Sequence, residues 1–483
     1  MQTVKSRNGE DIPVFKNQHP MHSKYNPSAE AEIFSQSLKS GFIIIGGIGG
    51  GFHIETAVKK FPEAFFVCVE ADIESLEYSV KLNGNSELQK KENVIFTTVQ
   101  NLENIILSNY LPQIYENLSL GFNRTWETEN KETAFVINET VKTALKKIKA
   151  DYSVQSHFAR QWQKNIMQNA EREFSALNLD SELTKTCAVI AAGPSLEKDL
   201  ARLKEKKASF FILSTDTAYG TLLKNNIFPD AVISTDCQHV SCTHFYSMHS
   251  TEEKKTLFIF DLSSPPCAVR QVLKKRHPIF FFQSGHPLSR MLFSEKEMLS
   301  LSSGSGTVTV AAADFAFKAG FSSIEFFGAD FSYSFEKPYA RGTYLEPAFF
   351  KESYRLENVE TKYSALMYRT ELYNQKENEF SRYTKGFPTS EILDSYRKSL
   401  LDFLEKNGFQ KQNGIFCLKN NPLRINASGK NADEIKKIKT QLRENPEQFQ
   451  EAYLPLTAFL KRLYPEKKFK ELCAIAYKYR EGV

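Results

Sequence analysis

The stretch Cys187–Leu200, CAVIAAGPSLEKDL, decides the fold of this chain. A short apolar run stops at Ala192-Gly193-Pro194-Ser195, and the helix-forming run LEKDLARLKEK starts at once. That order predicts strand, tight turn, helix. A turn of small residues lets a ligand approach the backbone. Pro194 and Ser195 open a helix whose free N–H groups and positive dipole end suit a phosphate. Such a turn also serves as a plain connection, so ligand contact needs support from elsewhere in the chain.

Downstream the pattern repeats. FFILSTD (210–216), AVISTD (231–236), TLFIFDL (256–262), PIFFFQ (278–283) and IEFFGAD (324–330) are short apolar runs separated by helical segments such as TAYGTLLKNN and AVRQVLKKR. Strands apolar on both faces that alternate with helices predict an α/β fold, a Rossmann-like parallel sheet with helices on each side. Asp216, Asp236, Asp261 and Asp330 end four of these strands. Ligands of open parallel sheets bind beyond the carboxyl ends of the strands, so the four acids converge on the expected crevice, although each also suits a helix cap. A second small-residue turn, Ser303, Gly304, Ser305 and Gly306, precedes the Ala- and Val-rich run TVTVAAADFAFKAG. It again offers backbone donors to an anion, and two such turns on one sheet make a place for a nucleotide phosphate.

Toward the N-terminus, GFIII runs into Gly46, Gly47, Ile48, Gly49, Gly50 and Gly51, then into HIETAVKKF and a second buried run, FFVCVEAD, containing Glu70. This is the layout of a mononucleotide-binding unit, with Gly47, Gly49 and Gly51 at the turn and Glu70 placed for ribose hydroxyls. KENVIFTTVQ (91–100) supplies a third strand. From Asn101 to about Thr184 strand signals fade and helical spacing takes over, with Phe158 and Trp162 as packing residues. Beyond Tyr344 the chain turns to polar helical segments, with FCLKNNPLRINASGK as an irregular or short-strand insert. The expected organisation is a Rossmann-like domain at 1–105, a helical connector at 106–184, a central domain at 185–345 and a mainly helical C-terminal domain at 346–483.

Composition narrows the classes. A length of 483 residues suggests two to four domains, and 39 Phe with 20 Tyr favour packed interiors over disorder. The net charge of +5, from 62 basic and 57 acidic residues, is too balanced to require a nucleic-acid partner. The seven cysteines, at 68, 187, 237, 242, 267, 417 and 473, are scattered and read as reduced thiols. Cys237, His239, Cys242 and His244 sit close together, but their spacing matches none of the usual zinc patterns. No apolar run is long enough to span a bilayer, and MQTVKSRNGEDIPVF has no signal-peptide core. The expectation is a cytoplasmic protein without membrane insertion.

The segments AVIAAGPSLEKDL, ILSTDTAYGTLLKNNIFPDAVISTD and SGSGTVTVAAADFAFKAGFSSIEFFGADF resemble the core domain of the motility accessory factor (Maf) family, the flagellin glycosyltransferases. HSKYNPSAEAE, IIIGGIGGGFHIE and FVCVEAD resemble that family's leading domain. The core is also similar to bacterial lipooligosaccharide sialyltransferases, in which a GNGPSL turn, an SG turn and a G-x-D-F-Y strand end hold the cytidine monophosphate of a CMP-sugar. Gly193, Pro194 and Ser195 match the first of these, Ser303 and Gly304 the second, and Gly328, Asp330 and Phe331 the third. Ala192 stands where those enzymes have asparagine, Asp216 and Asp236 correspond to further asparagines, and every histidine here precedes Asp330, so their histidine base has no counterpart.

The resemblance implies transfer of a nonulosonic acid of pseudaminic or legionaminic type from a CMP-activated donor to Ser or Thr of flagellin. Asp216, Asp236, His239 and Glu336 are the candidate catalytic groups, and Tyr333 and Tyr339 the candidate donors to phosphate oxygens. No cofactor is implied beyond the CMP-sugar, with room for a divalent cation between the acids and the phosphate. The central segment also resembles a 6-hydroxymethylpterin diphosphokinase, in which Asp216 and Asp236 would hold magnesium for phosphoryl transfer from ATP. A flagellin-binding chaperone on a decayed transferase core and a methyltransferase on the glycine turn are the remaining alternatives.

Overall fold

A computed structural model describes residues 2–172, 174, 177, 179–246, 248, 254–304, 306–383, 386–418 and 432–479. The chain divides into two units, residues 1–159 with 455–476 and residues 160–454 with 477–483.

The first unit opens with an antiparallel hairpin, β1 (Gln2–Lys5) and β2 (Asp11–Val14). Its main sheet comprises β3 (Phe42–Gly46), β4 (Phe65–Glu70), β5 (Val94–Thr98) and β6 (Leu118–Phe122), all parallel, in the order β5-β4-β3-β6. Ile43 and Ile45 face one side with Ile54 and Ala57, while Phe42 and Ile44 face the other with Leu102, Ile106 and Trp126. This period-two division is what a strand buried on both faces requires. Ile137, Val141, Ala144 and Ile148 of the helix Lys131–Asn169 complete the second layer at helical spacing. β6 was not expected. Its LSLGF alternates small with large residues, and Gly121 leaves room for the rings and methyls of Phe34 and Leu38.

The second unit is built on β7 (Thr186–Ile190), β8 (Phe210–Thr215), β9 (Ala231–Ser234), β10 (Leu257–Asp261), β11 (Ile279–Gln283), β12 (Leu299–Ser300) and β13 (Ser323–Phe327). Outside this sheet a small antiparallel pair forms from β14 (Tyr373–Asn374) and β15 (Pro388–Thr389). The antiparallel hairpin β16 (Phe409–Gln412) and β17 (Ile415–Leu418) then joins the large sheet, whose order is β12-β11-β10-β9-β8-β7-β13-β17-β16. The chain enters at β7 and steps outward as far as β12. The helix Val308–Ala319 then returns across β9, β8 and β7 to set β13 on the opposite side of β7. Its run of alanines lets it lie close under Val189, Leu213 and Ile259. The other face of the sheet carries Ala188, Ile190 and Ile212 against Leu196, Leu203 and Leu222.

The architecture is therefore the expected α/β one, a mostly parallel sheet flanked by helices with a smaller parallel sheet in the first unit. The late segments include the helices Glu391–Lys406, Ala432–Glu444, Gln450–Leu463 and Phe469–Lys478. Among the described residues no helix is long and apolar enough to cross a membrane. Cys242 and Cys267, read from the sequence as reduced thiols, are joined as a disulfide.

Candidate functional site

The strand order reverses between β7 and β13, and in open parallel sheets such a reversal leaves a crevice at the carboxyl ends of the strands. A cleft of about 400 Å³ opens there. Ala191 to Gly193 line it after β7, Thr215 at the end of β8 with Thr217 in the first turn of the helix Asp216–Lys224, and Gly328 to Tyr333 after β13. Facing them are Gly306 to Thr309 at the amino end of the helix Val308–Ala319, with Tyr339, Arg369 and Tyr396.

Two glycines allow the central strands to meet. The Gly193 N–H donates to the Gly328 carbonyl at 2.8 Å. A Cβ on Gly193 would lie 2.4 Å from that oxygen, and one on Gly328, whose φ is +64°, 2.4 Å from the Ala191 oxygen. Close backbone approach is the physical demand that selects glycine here. Beside this contact the Ser195 N–H donates to Asp330 Oδ2 at 2.8 Å, and the Ser195 hydroxyl donates to Oδ1. The anion position at the start of the helix Leu196–Glu205 is thus filled by the chain's own carboxylate. The expectation that Pro194 and Ser195 present free donors to a phosphate is corrected, and neither lines the cleft.

The loop leaving β13 is fixed by hydrogen bonds. Asn378 Nδ2 donates to the Asp330 carbonyl at 2.6 Å, and the Thr389 hydroxyl donates to the Phe331 carbonyl at 2.7 Å, where Phe331 takes a left-handed backbone with φ of 48°. Burial lifts the Asp330 carboxyl to about 6 against the opposing hydrogen bonds from Ser195. Burial also raises the phenols of Tyr333 and Tyr339, the latter to about 12 with help from Tyr344 and Tyr333, while the Arg369 charge opposes the rise. Both phenols stay protonated at neutral pH and serve as donors.

The cleft gathers Gly193, Gly328, Asp330, Tyr333 and Tyr339 from the expected set and leaves out the four candidate catalytic groups. Asp216 is buried; its Oδ1 accepts the Thr217 N–H at 2.7 Å and its Oδ2 the Ser234 hydroxyl at 2.6 Å. Asp236 accepts the Gln238 N–H at 2.9 Å and the Ser241 hydroxyl at 2.7 Å. The Thr217, Gln238 and Ser241 bonds are local turn bonds that short acids form after strands, whereas the Ser234 bond reaches Asp216 from the neighbouring strand β9. His239 faces cysteine sulfurs, with Nδ1 3.0 Å from Cys267 Sγ. Glu336 is exposed on a left-handed turn with φ of 58°. The turn Ser303–Gly306 was expected to open the following helix and offer its backbone donors; the helix starts at Val308, where Thr307 Oγ1 accepts the Thr309 N–H, and of the described turn residues Gly306 lines the cleft while Ser303 and Gly304 do not. Ser305 lies outside the described residues. Thr215, Thr217, Thr307, Thr309 and Arg369 went unnoticed. The TVT following SGSG was a usable signal for two of them, whereas Arg369 follows the helix Val359–Met367 with no pattern that fixes its place.

The glycine turn of the first unit is sealed. Glu70 Oε1 accepts the N–H groups of Ile48 at 2.7 Å and Gly49 at 3.2 Å, and Oε2 accepts Trp126 Nε1–H at 2.9 Å. His22 Nε2 accepts the Gly50 N–H at 3.0 Å. A Cβ on Gly47 would lie 2.5 Å from the Trp126 ring and one on Gly49 2.7 Å from His22 Nε2. Burial holds His22 well below its usual value and His53 at about 4, so both rings are neutral packing groups. Gly47, Gly49, Gly51 and Glu70 were expected to hold a nucleotide or methyl donor. Side chains fill that space, and Gly51 instead meets Asn85.

Comparison with known proteins bears on this geometry. A solved structure described as MAf glycosyltransferase from Magnetospirillum magneticum AMB-1 matches 99% of this chain and 86% of its own, with a TM-score of 0.57 and 14% identity. The chain has the Maf fold. The likeness is one of fold, and it extends over nearly the whole chain. Residues 160–336, which bear most of the cleft, match the family model described as 6-hydroxymethylpterin diphosphokinase MptE-like. Two proteins of Treponema pallidum (strain Nichols), each described as an uncharacterized protein, are 38% identical over 143 residues and 32% identical over 139. These matches span 49% and 66% of the relatives' own lengths, and 29% and 28% of this chain.

Proposed function

We propose that the chain is a glycosyltransferase that moves a nonulosonic acid from a CMP-activated donor to Ser or Thr hydroxyls of flagellin in the cytoplasm, serving flagellar assembly and motility. The observation that carries this reading is the donor set of the cleft: a helix amino end, two neutral phenols and Arg369 around a strand reversal. A phosphodiester with one negative charge suits that set. In the proposed step the acceptor oxygen attacks the anomeric carbon, the carbon–oxygen bond to phosphate breaks, and CMP leaves with the bonding electrons. Among the described residues Asp330 is the one carboxylate lining the cleft, and a carboxyl near 6 is ionised at neutral pH and able to take the hydroxyl proton. It replaces the four groups considered from sequence as the candidate base.

The MptE-like match keeps a second reading, magnesium-dependent phosphoryl transfer from ATP. Against it, Asp216 and Asp236 accept hydrogen bonds from their own neighbours. Calorimetric titration separates the two. Binding of CMP without metal, weakened in Arg369→Ala, supports the transferase; binding of ATP only with magnesium supports the kinase, and binding of neither removes both.

A further inference from the structure

We propose that His239, Cys242 and Cys267 form a site for a soft divalent metal ion such as zinc, available while the two sulfurs are reduced and closed when they join as a disulfide. The sequence pattern around Cys237 argues against zinc because the local spacing is wrong. The fold instead recruits a cysteine 25 residues downstream of Cys242. The 3-10 helix His239–Phe245 places His239 and Cys242 three residues apart, and in that geometry such positions lie on one face. The segment packs on the helix Pro266–Lys274, whose second residue is Cys267.

The Cα atoms of Cys242 and Cys267 are 6.2 Å apart. His239 Nδ1 lies 3.0 Å from Cys267 Sγ and 3.7 Å from Cys242 Sγ, and all three ligand atoms fall within 4.8 Å of one another. Two thiolates and an imidazole are the donors zinc prefers, whereas magnesium and calcium take oxygen. A disulfide alone has no need of an imidazole directed at both sulfurs. Cys242 is buried, Cys267 half-buried and His239 exposed, so three protein ligands leave the fourth tetrahedral position on the solvent side.

The two states interconvert by thiol–disulfide exchange. A low-molecular-weight disulfide takes two electrons from the pair of thiolates and two protons from solvent, and leaves as two thiols. The protein sulfurs join, and the metal ion is released.

The test uses the full chain, reduced with a phosphine, loaded with zinc or cobalt, and compared with chain oxidised by glutathione disulfide. The expected result is one zinc per reduced chain, none per oxidised chain, and cobalt absorption bands from thiolate ligation. Cys267→Ser should abolish those bands. His239→Ala should weaken zinc at least tenfold while leaving thiolate bands at high cobalt, which distinguishes a lost ligand from a misfolded chain. Cys417→Ser should bind as wild type does. Absence of zinc from the reduced wild type, or undiminished zinc in both His239→Ala and Cys267→Ser, overturns the proposal.

Discussion

The glycine turn after β3 and the turn after β7 look alike in sequence and end as opposites. Each follows a strand buried along all or nearly all of its length and precedes a helix. In the first, Trp126, His22 and Glu70 occupy the space the glycines leave. In the second, another strand's backbone and the Asp330 carboxylate come close, and a cleft remains beside them. A glycine therefore reports that something approaches the main chain. What approaches is decided by residues far along the chain, at 22 and 126 in one case and at 328–330 in the other.

The largest effect that tests this contrast is expected at Asp330. Asp330→Asn should lower transfer by roughly 10²- to 10⁴-fold while CMP still binds, because the variant keeps the shape but not the base. Wild-type turnover would leave Asp330 a clasp for Ser195 alone. Next is Trp126→Ala, expected to destabilise by about 3–5 kcal/mol as a large buried ring is lost. Thermal unfolding measures the loss. Nucleotide binding gained by the emptied turn would sharpen the contrast, since the ring would then be all that excludes a ligand there. Arg369→Ala should weaken CMP by about 1.5–3 kcal/mol, the usual worth of a charged hydrogen bond, as read by calorimetry.

The smallest effect is a dependence on pH. The Asp330 carboxyl sits near 6 when folded against roughly 3.9 unfolded, so the folded state holds its proton more tightly between those values. The stability contributed by this group is full below about 3.9 and is lost as pH rises through 6. On the proposed mechanism, transfer should move the opposite way and gain with ionisation. Urea midpoints across pH 4 to 7 should fall more in wild type than in Asp330→Asn, and equal slopes would show that folding leaves the affinity of this carboxyl for its proton unchanged.

How much was readable follows from the same physics. Runs such as FFILST and IEFF announce themselves because strands of a covered parallel sheet are apolar on both faces. β6 stayed hidden because LSLGF carries a glycine where Phe34 and Leu38 need room and a serine that bonds the Lys39 backbone, and β16 because FQKQ is largely exposed, whereas the short-strand reading at FCLK touches β17. In the site, Gly193, Gly328 and Asp330 were legible as points where chains converge. Asp216 and Asp236 misled because an acid after a strand serves the local backbone and nearby hydroxyls as readily as a ligand, and here Thr217 and Ser234 hold the first and Gln238 and Ser241 the second. Arg369 reaches the cleft through a fold-wide path that no local pattern encodes.

The β16–β17 hairpin has a protective consequence for the strand next to the cleft. β13 is a short apolar strand, SIEFF, whose flank away from β7 would be open without the hairpin, and an open flank is an invitation to foreign strands. β17 covers it, and β16 then faces outward with Lys411 among exposed glutamines. A charged, polar border discourages strand addition. A chain ending before Phe409 would expose that flank, and its first failure would be self-association through β13, ahead of any change in what the cleft binds.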